Sequence, residues 1–275
     1  MLKQNGIQRR YYALNKNQEI THTNAELAAM AIRRIFKEEG DLANVELMTT
    51  ATSIPDQILP SHASMVHGLL PELGNIEIFS TAGVCLTSLQ ALKIAYLAVA
   101  VGDKENAICS ASELVSATLL SKHYDAEYEK CHSIGENPYF GFEKDFLRFM
   151  LSDGAGAVLL GNKPNDRGLS FKIEWIDMQS YANECPVCML AGGEFNLDGS
   201  TTSWKMFENK DFMDKSIFAV KQDIRLLKRY IIKLWVNHIE EVLAKHGVKD
   251  VDIDYVIPHA VSYTHLRAHE TELHL

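Results

Sequence analysis

The sequence predicts an α/β protein, because helix-like and strand-like segments alternate along its 275 residues. Two segments share one layout: an amphipathic helix, a stop that contains glycine, an acidic turn and a buried strand. The first joins a helix at 25–39 to a strand at 45–50, and the second joins a helix at 224–246 to a strand at 253–257. A third segment joins a strand at 76–79 to a long apolar helix. Two similar units often arise by chance, so this pattern predicts the α/β class and no particular topology.

Cys85 stands where the third segment changes from strand to helix. Small residues at 80–84 allow a tight corner before it, and the apolar run after it, which closes at Gly102, predicts a buried helix of about four turns. A cysteine in the first turn of a helix meets unpaired N–H groups and the positive end of the dipole, and both favour the nucleophilic thiolate. Free cysteines are often simply buried, so the placement alone leaves a nucleophile and a packing role equally open.

Three other segments carry residues of chemical interest. A run of small residues with Gly154 and Gly156 precedes an apolar strand, and these glycines allow a close approach of the backbone or a positive φ. A predicted buried strand ends at His259, where a hydrogen-bonded structural histidine is the alternative to a catalytic one. A loop at 55–63 leads into a short helix that stops near residue 68.

Together these segments resemble the β-ketoacyl-ACP synthase III family of thiolase-fold condensing enzymes over nearly the whole chain, from about Asn5 to about His259. The motifs follow the family's order: Gly6-Ile7-Gln8-Arg9-Arg10, Pro60-Ser61-His62-Ala63, the Cys85 corner, Ser110-Ala111-Ser112-Glu113, Asp153-Gly154-Ala155-Gly156-Ala157, and Pro258-His259. Within the family, the segments 143–148 and 216–259 are most similar to ketosynthases of aryl-polyene-like or dialkylresorcinol (flexirubin-type) pigment pathways.

The resemblance implies a layered αβαβα architecture with two pseudo-symmetric halves. The expected boundary is the polar linker at 162–168, so that 1–162 forms the half with the nucleophile and 163–260 forms an incomplete second half. Residues 261–275 match nothing expected and are interpreted as a non-native tail. At the other end, the family's first strand and its coenzyme A-binding Trp and Arg have no counterpart, and Gln4 stands where an Arg is usual.

The resemblance also implies the chemistry of fatty acid or polyketide-type synthesis. An acyl group moves from a thioester to Cys85, and a malonyl- or β-ketoacyl-thioester then loses CO₂ or a proton and attacks it. His259, together with an Asn that the tail lacks, is expected to stabilise the enolate, so this fragment is expected to be inactive. The further candidates for the pocket are Glu113, as a proton acceptor, and Ser61, Gly154 and Gly156. The alternative is a non-catalytic thiolase-fold protein.

The net charge and composition of the chain limit the kinds of partner that it could bind. The net charge of −9 argues against nucleic acid, and no run of apolar residues is long enough for a membrane span. An acidic acyl carrier protein would need a local basic surface, which Lys221, Arg225, Lys228 and Arg229 provide at helical spacing if they are not merely a solvated face. Coenzyme A thioesters are the other candidate substrates. No metal or other cofactor is expected, and the family implies a homodimer.

The cysteines favour a reducing compartment, the cytoplasm, since five of them follow no disulfide framework. A metal or redox protein that uses Cys185 and Cys188 with Cys131 and His132 is a weaker hypothesis, because a single CxxC lacks a spaced partner pair. The segments 122–150 and 179–215 are expected to cap a substrate channel. Aromatic side chains that could line it are Tyr139, Phe140, Phe142, Phe146 and Phe149, and His265, His269 and His274 only mimic metal-ligand spacing.

Overall fold

The computed structural model describes residues 9–36, 39–123, 147, 150–166, 168–257 and 259. These residues divide into two compact units. The sheet unit consists of Tyr11–Ala117 and Ser152–Ile176, and the second unit takes its described residues from Met1–Arg10, Thr118–Leu151 and Asp177–Leu275. The predicted capping aromatics at 139–149 and the tail at 261–275 lie outside the described residues.

A four-stranded sheet forms the centre of the sheet unit, in the order β2-β1-β3-β4. Its strands are β1 Leu47–Thr52, β2 Glu77–Ala82, β3 Asn106–Glu113 and β4 Gly154–Gly161. The first three are parallel, and β4 runs antiparallel to β3. Thr52 pairs with Ala82, and Glu113 pairs with Gly154. The ends of β1, β2 and β3 and the start of β4 therefore meet at one edge, which we call the carboxyl edge.

Two helices cover one face of the sheet. Helix α1, Asn24–Arg33, begins with a capping box between Thr23 and Glu26, and α2, His62–Gly68, is capped by Ser61. The short helix predicted after the loop at 55–63 is confirmed. The prediction that the first helix extends to residue 39 is wrong, because Arg34 already forms the C-cap. The Arg33 guanidinium bonds Glu72 and the Leu69 carbonyl there.

The hydrophobic core lies on both faces of the sheet, because β1 is buried along its whole length. On one face, Ala28 and Ile32 of α1 pack with Met48 and Ile108. On the other face, alanines of a third helix, α3 at Thr87–Ala100, pack in a second cluster, whose buried members are Leu47, Ala51, Ala91, Ala95, Ala107, Cys109 and Leu160. Alternate residues of one strand point to opposite faces, so β1 serves both clusters. The result is a helix–sheet–helix layering.

Helix α3, Thr87–Ala100, follows the corner that contains Cys85 and has the predicted length of about four turns. The predicted burial of this helix is confirmed only for the side that faces the sheet. Ala91 and Ala95 are fully buried there, whereas Leu89 and Leu97 are 43% and 46% exposed. Small alanines allow the helix to lie close against the sheet.

The second unit contains a short helix α4, Asn209–Asp214, and the long helix α5, Ile224–His246, whose bounds match the prediction. The Asp223 carboxylate caps α5 at its start, and Gly247 ends it in the left-handed conformation, with φ of 66°. The described part of this unit also contains two small two-stranded sheets. They pair β5 Met189–Leu190 with β8 Lys221–Gln222, and β6 Gly193–Phe195 with β7 Thr201–Ser203.

The strand predicted at 253–257 does not form. A short 3₁₀ helix at Asp250–Asp252 follows α5, and the next residues are irregular. Tyr255 and Ile257 are 87% and 94% exposed. A β-strand is stabilised by the strands beside it, and within the described part of the chain no strand is paired with this segment. None of the helices described here is long and apolar enough to cross a membrane.

Candidate active site

The corner between β2 and α3 is held by two threonines. The Thr87 hydroxyl, buried at the first residue of α3, donates to Thr81 Oγ1 at 3.0 Å. Thr81 Oγ1 in turn lies 3.0 Å from the Thr87 carbonyl and 3.3 Å from the Thr50 carbonyl of β1. These bonds join the end of β2, the start of α3 and the neighbouring strand. They determine where the residues between Thr81 and Thr87 lie.

Cys85 is an exposed thiol in this corner. It lies one residue before the N-cap Leu86, not inside the first turn as predicted, and its carbonyl accepts from Ser88 Oγ at 3.4 Å. Helix boundaries vary by one or two residues, and the backbone turn begins at Cys85. The residue lies at the positive end of the helix dipole, the position that favours a nucleophilic thiolate.

Glu113 is a half-buried carboxylate at the same carboxyl edge, at the last residue of β3. Its Oε1 accepts from the Ser53 N–H at 2.5 Å, and its Oε2 accepts from Thr52 Oγ1 at 3.3 Å. Burial raises the pKa of Glu113, and the hydrogen bonds from Ser53 and Thr52 oppose that rise. A carboxylate with a raised pKa is a stronger base than an exposed one, as the predicted proton acceptor requires.

Asn24, at the start of α1, is fully buried behind Glu113. Its Nδ2 donates to Thr52 Oγ1 at 2.8 Å and to the Ile54 carbonyl at 3.2 Å. Neither Asn24 nor Thr52 was predicted from the sequence as a site residue. An asparagine at the beginning of a helix is indistinguishable from an ordinary cap in the sequence, and its contact with β1 spans 28 positions.

His62 is a second buried polar group that sequence reasoning missed. Its Nε2 lies 3.1 Å from Ser112 Oγ, which donates to the Asn24 carbonyl. Burial lowers the pKa of His62, and the Asp56 carboxylate partly opposes that effect. Asp56 itself accepts from the N–H groups of Asn24 and Ala25, where it caps α1 from a loop. The neutral imidazole therefore supports the end of β3 beside Glu113.

The Asp153-Gly154 motif has a structural place at the carboxyl edge. The Asp153 carboxylate accepts from the backbone N–H groups of Ala13 and Ser116 and from the Ser116 hydroxyl. Gly154 and Gly156 lie in β4, and among the described residues a Cβ on either would have no atom within 4 Å. Neither glycine has a positive φ. The described part of the chain therefore shows neither of the two predicted reasons for glycine at these positions.

Ser61 caps α2, where its hydroxyl accepts from the Ser64 N–H at 3.2 Å. Among the predicted pocket residues, Ser61, Glu113 and Gly154 thus belong to the sheet unit, as Cys85 does. His259 belongs to the second unit and is exposed in an irregular segment. Its catalytic role stays a prediction.

The basic surface predicted on one helix face is wrong for Lys221. This residue precedes α5, lies in β8, and is only 1% exposed. Its Nζ bonds the Glu194 carboxylate at 2.6 Å and the Gly193 and Lys215 carbonyls. A buried ammonium needs such partners, and these three oxygens stabilise Lys221 in a buried position instead of on the predicted exposed face. Arg225, Lys228 and Arg229 are exposed on α5, as predicted.

The CxxC pair does not form a metal cluster with other described residues. Cys185 and Cys188 are partly exposed thiols, and burial raises the pKa of Cys188. Within the described residues, no group of three His, Cys, Asp or Glu side chains could hold a metal ion. Cys131 and His132 lie outside the described residues.

The chain is similar to curated enzymes of one kind. It is 26% identical over 255 residues to the β-ketoacyl-(acyl-carrier-protein) synthase III of Clostridium perfringens, an alignment that covers 92% of this chain and 66% of that protein. Its identity to the enzyme of the same name from Aliarcobacter butzleri is 25% over 269 residues, with 97% and 69% covered. The chain thus spans about two thirds of the length of these relatives. No protein-family model matches the chain.

Solved structures give the same fold. A 3-oxoacyl-(acyl-carrier-protein) synthase III superposes with a TM-score of 0.69 at 16% identity, over 99% of this chain and 72% of that one. The tetronic acid condensing enzyme AbyA1 superposes with a TM-score of 0.65 at 20% identity, over 97% and 70%. These comparisons confirm the predicted α/β thiolase-like fold and the resemblance read from the sequence motifs.

Proposed function

From the place of this chain in the β-ketoacyl-ACP synthase III family, we propose that it is an acyltransferase that forms carbon–carbon bonds between thioester-bound acyl groups. The observation that carries the proposal is the exposed Cys85 at the corner between β2 and α3, on the carboxyl edge of the sheet. Ligands of open α/β sheets bind outside the carboxyl ends of the strands, which is where Cys85 lies.

The first step transfers an acyl group to Cys85. The thiolate attacks the carbonyl carbon of an acyl thioester, the carbon–sulfur bond of the donor breaks, and the donor leaves as a thiolate that takes up the proton released from Cys85. Backbone N–H groups at the start of α3 are suitable donors to the oxyanion that forms in between. The Thr81–Thr87 pair contributes by keeping the corner in place before the substrate arrives.

The second step joins the acyl group to an extender thioester. A malonyl thioester loses CO₂, or a β-ketoacyl thioester loses a proton, and the resulting carbanion attacks the acyl carbon on Cys85. The new carbon–carbon bond forms as the bond to Cys85 Sγ breaks, which regenerates the thiolate. His259 is proposed to hydrogen-bond the enolate oxygen. The chemistry needs no metal or other cofactor.

The proposed donors are coenzyme A thioesters and acyl carrier protein. Arg225, Lys228 and Arg229 form an exposed basic row near the start of α5, which suits an acidic carrier protein even though the whole chain carries −9. We also propose a homodimer in the cytoplasm, where a reactive thiol stays reduced. The pigment-pathway subgroup remains the narrower hypothesis.

Acyl loading tests the proposal directly. The full chain is incubated with radiolabelled acyl-coenzyme A and, separately, with labelled acyl carrier protein, and the covalent label is measured after denaturation. The sequence predicted an inactive fragment, but the first step uses only Cys85 and backbone N–H groups. We therefore expect label on the wild type and on Cys185→Ser, a matched control for a partly exposed thiol, and none on Cys85→Ala. Iodoacetamide should also modify Cys85 before Cys109, whose burial raises the pKa of its thiol.

The same experiment separates the alternative of a non-catalytic thiolase-fold protein. A wild type that takes up no label from either donor, or a Cys85→Ala variant that is labelled as fully as the wild type, would contradict the proposed function. Label confined to the carrier protein donor would identify which thioester the chain uses.

A further inference from the structure

The proposed acyl transfer to Cys85 does not involve Glu113, although buried polar groups surround this carboxylate. Glu113 ends β3, and its two oxygens accept from Thr52 and Ser53 at the end of β1. Each neighbouring strand lies about 4.8 Å away, and β1 lies between β3 and β2. The carboxylate therefore bonds the end of β1, the strand that lies between β3 and the strand leading to Cys85.

The direction of the hydrogen bonds behind Glu113 follows from the partners of Asn24. The Ile54 carbonyl can only accept, so the side-chain nitrogen of Asn24 must face it. The second proton of that nitrogen then points to Thr52 Oγ1. Thr52 accepts this proton, and its own hydroxyl proton is left to donate to Glu113 Oε2. One fixed series of donors thus runs from Asn24 through Thr52 to the carboxylate.

The orientation of Glu113 is fixed on both oxygens. The Ser53 N–H, a backbone group that cannot rotate away, holds Oε1, while the Thr52 hydroxyl holds Oε2. Asn24 is fully buried and Thr52 is 2% exposed, so water does not compete for these bonds. The carboxylate is thus held in one orientation while it is still partly exposed at the carboxyl edge.

We propose that Glu113 accepts the α-proton of the extender thioester in the condensation step, and that Thr52 and Asn24 are positioning residues for its carboxylate. This inference rests on the proposed function and selects an extender with an acidic hydrogen next to the thioester carbonyl, a β-ketoacyl thioester. The bond between that carbon and hydrogen breaks, and Glu113 takes the proton. The electron pair forms the bond to the acyl carbon on Cys85, the bond to Sγ breaks, and the thiolate recovers the proton from Glu113.

The first test separates acylation from condensation. Single-turnover acylation of Cys85 and condensation with acetoacetyl-coenzyme A are measured for the wild type and for Glu113→Gln. We expect condensation to fall by about 10²- to 10⁴-fold in the variant, the usual contribution of a general base, and acylation to change far less than condensation. A Glu113→Gln variant that condenses at the wild-type rate overturns the inference, and so does a wild type that is acylated but does not condense with acetoacetyl-coenzyme A.

The second test reads the positioning role through a pH profile. Thr52→Val keeps the shape of the side chain but removes the donor to Glu113 Oε2, which disfavours the charged carboxylate. The part of the pH profile in which the condensation rate rises with pH should therefore move to higher pH in Thr52→Val. Thr52→Ser keeps the hydroxyl and should give the wild-type profile. The other titratable groups at the carboxyl edge are Cys85, Asp56, His62 and Asp153, and Thr52 bonds none of them. A profile that is the same in Thr52→Val and the wild type contradicts the positioning role.

The two proposals fail in different ways. Absence of label on Cys85 contradicts the proposed function, whereas labelled Cys85 with condensation that is indifferent to Glu113 contradicts only the inference about the proton acceptor. A circular dichroism spectrum like that of the wild type confirms that each variant is folded.

Discussion

The two copies of the helix–turn–strand pattern fold differently. In the first copy, α1 is followed by β1, which is buried along its length between two parallel neighbours. In the second copy, α5 forms with its predicted bounds, but the segment at 253–257 stays irregular and exposed. A helix satisfies its own backbone groups, whereas a strand depends on the chain beside it. The pattern alone therefore predicts which segments can form a helix or a strand, but not whether a predicted strand finds partners.

The largest expected difference between the copies is in core packing. Met48→Ala removes a fully buried side chain that packs between α1 and the sheet, and we expect it to lower the free energy of unfolding by about 2–5 kcal/mol. Val256→Ala, in the second copy, removes a side chain that is 58% exposed and should cost less than about 0.5 kcal/mol. Urea unfolding measures both. Equal losses would show that the strand of the second copy is also packed.

A buried ion pair just before α5 provides the next test. Lys221→Met leaves the Glu194 carboxylate and two carbonyls without their ammonium partner. We expect this variant to lower the free energy of unfolding by about 3 kcal/mol. The value lies at the low end for buried pairs, because Glu194 keeps some access to water. Lys228→Met, on the exposed face of α5, is the matched control and should change the stability by less than about 0.5 kcal/mol. Similar losses for both lysines would contradict the buried position of Lys221.

Helix caps should behave alike in the two copies, since capping is local. Thr23→Ala removes the cap of α1 and Asp223→Ala removes the cap of α5, and each should cost about 1 kcal/mol. Thermal unfolding of the two variants, followed by circular dichroism, checks this equality. If Asp223→Ala does not lower the thermal stability, then α5 begins at another residue.

The smallest effect concerns pH at the end of α5. Lys245 and His246 bond Asp177 and lower the pKa of that carboxyl to about 2. The folded pKa lies below the unfolded value, so the contribution to stability is present above the unfolded pKa of about 4 and is lost as the pH falls toward 2. The stability difference between the wild type and Asp177→Asn should therefore shrink over that range. Because Asp177 is solvent-accessible, a difference that stays constant from pH 5 to pH 2 would show that its bonds contribute nothing.

Much of the carboxyl edge was predictable from local patterns. The strand–corner–helix pattern located Cys85, and the Ser-Ala-Ser-Glu segment located Glu113 at the end of a strand. Asn24 and Thr52 could not be predicted as its supports, because they reach Glu113 only when α1, β1 and β3 are packed together. The predicted basic row was wrong at Lys221 because that prediction assumed helical spacing for a residue that lies before the start of α5.

The sequence by itself determined the bounds of α5, the length of α3, the short helix α2 and the corner that carries Cys85. Apolar periodicity and glycine stops act within a few positions of the chain, so they can be read without knowledge of the fold. Tertiary structure decided which strand-like segments are paired, as β1 is and the segment at 253–257 is not, and which polar groups are buried. Strand pairing and burial join residues that are far apart in sequence, as Ser112 and Asn24 are joined across 88 positions. The proposed chemistry depends on both, with a nucleophile set by local sequence and a proton acceptor oriented by distant neighbours.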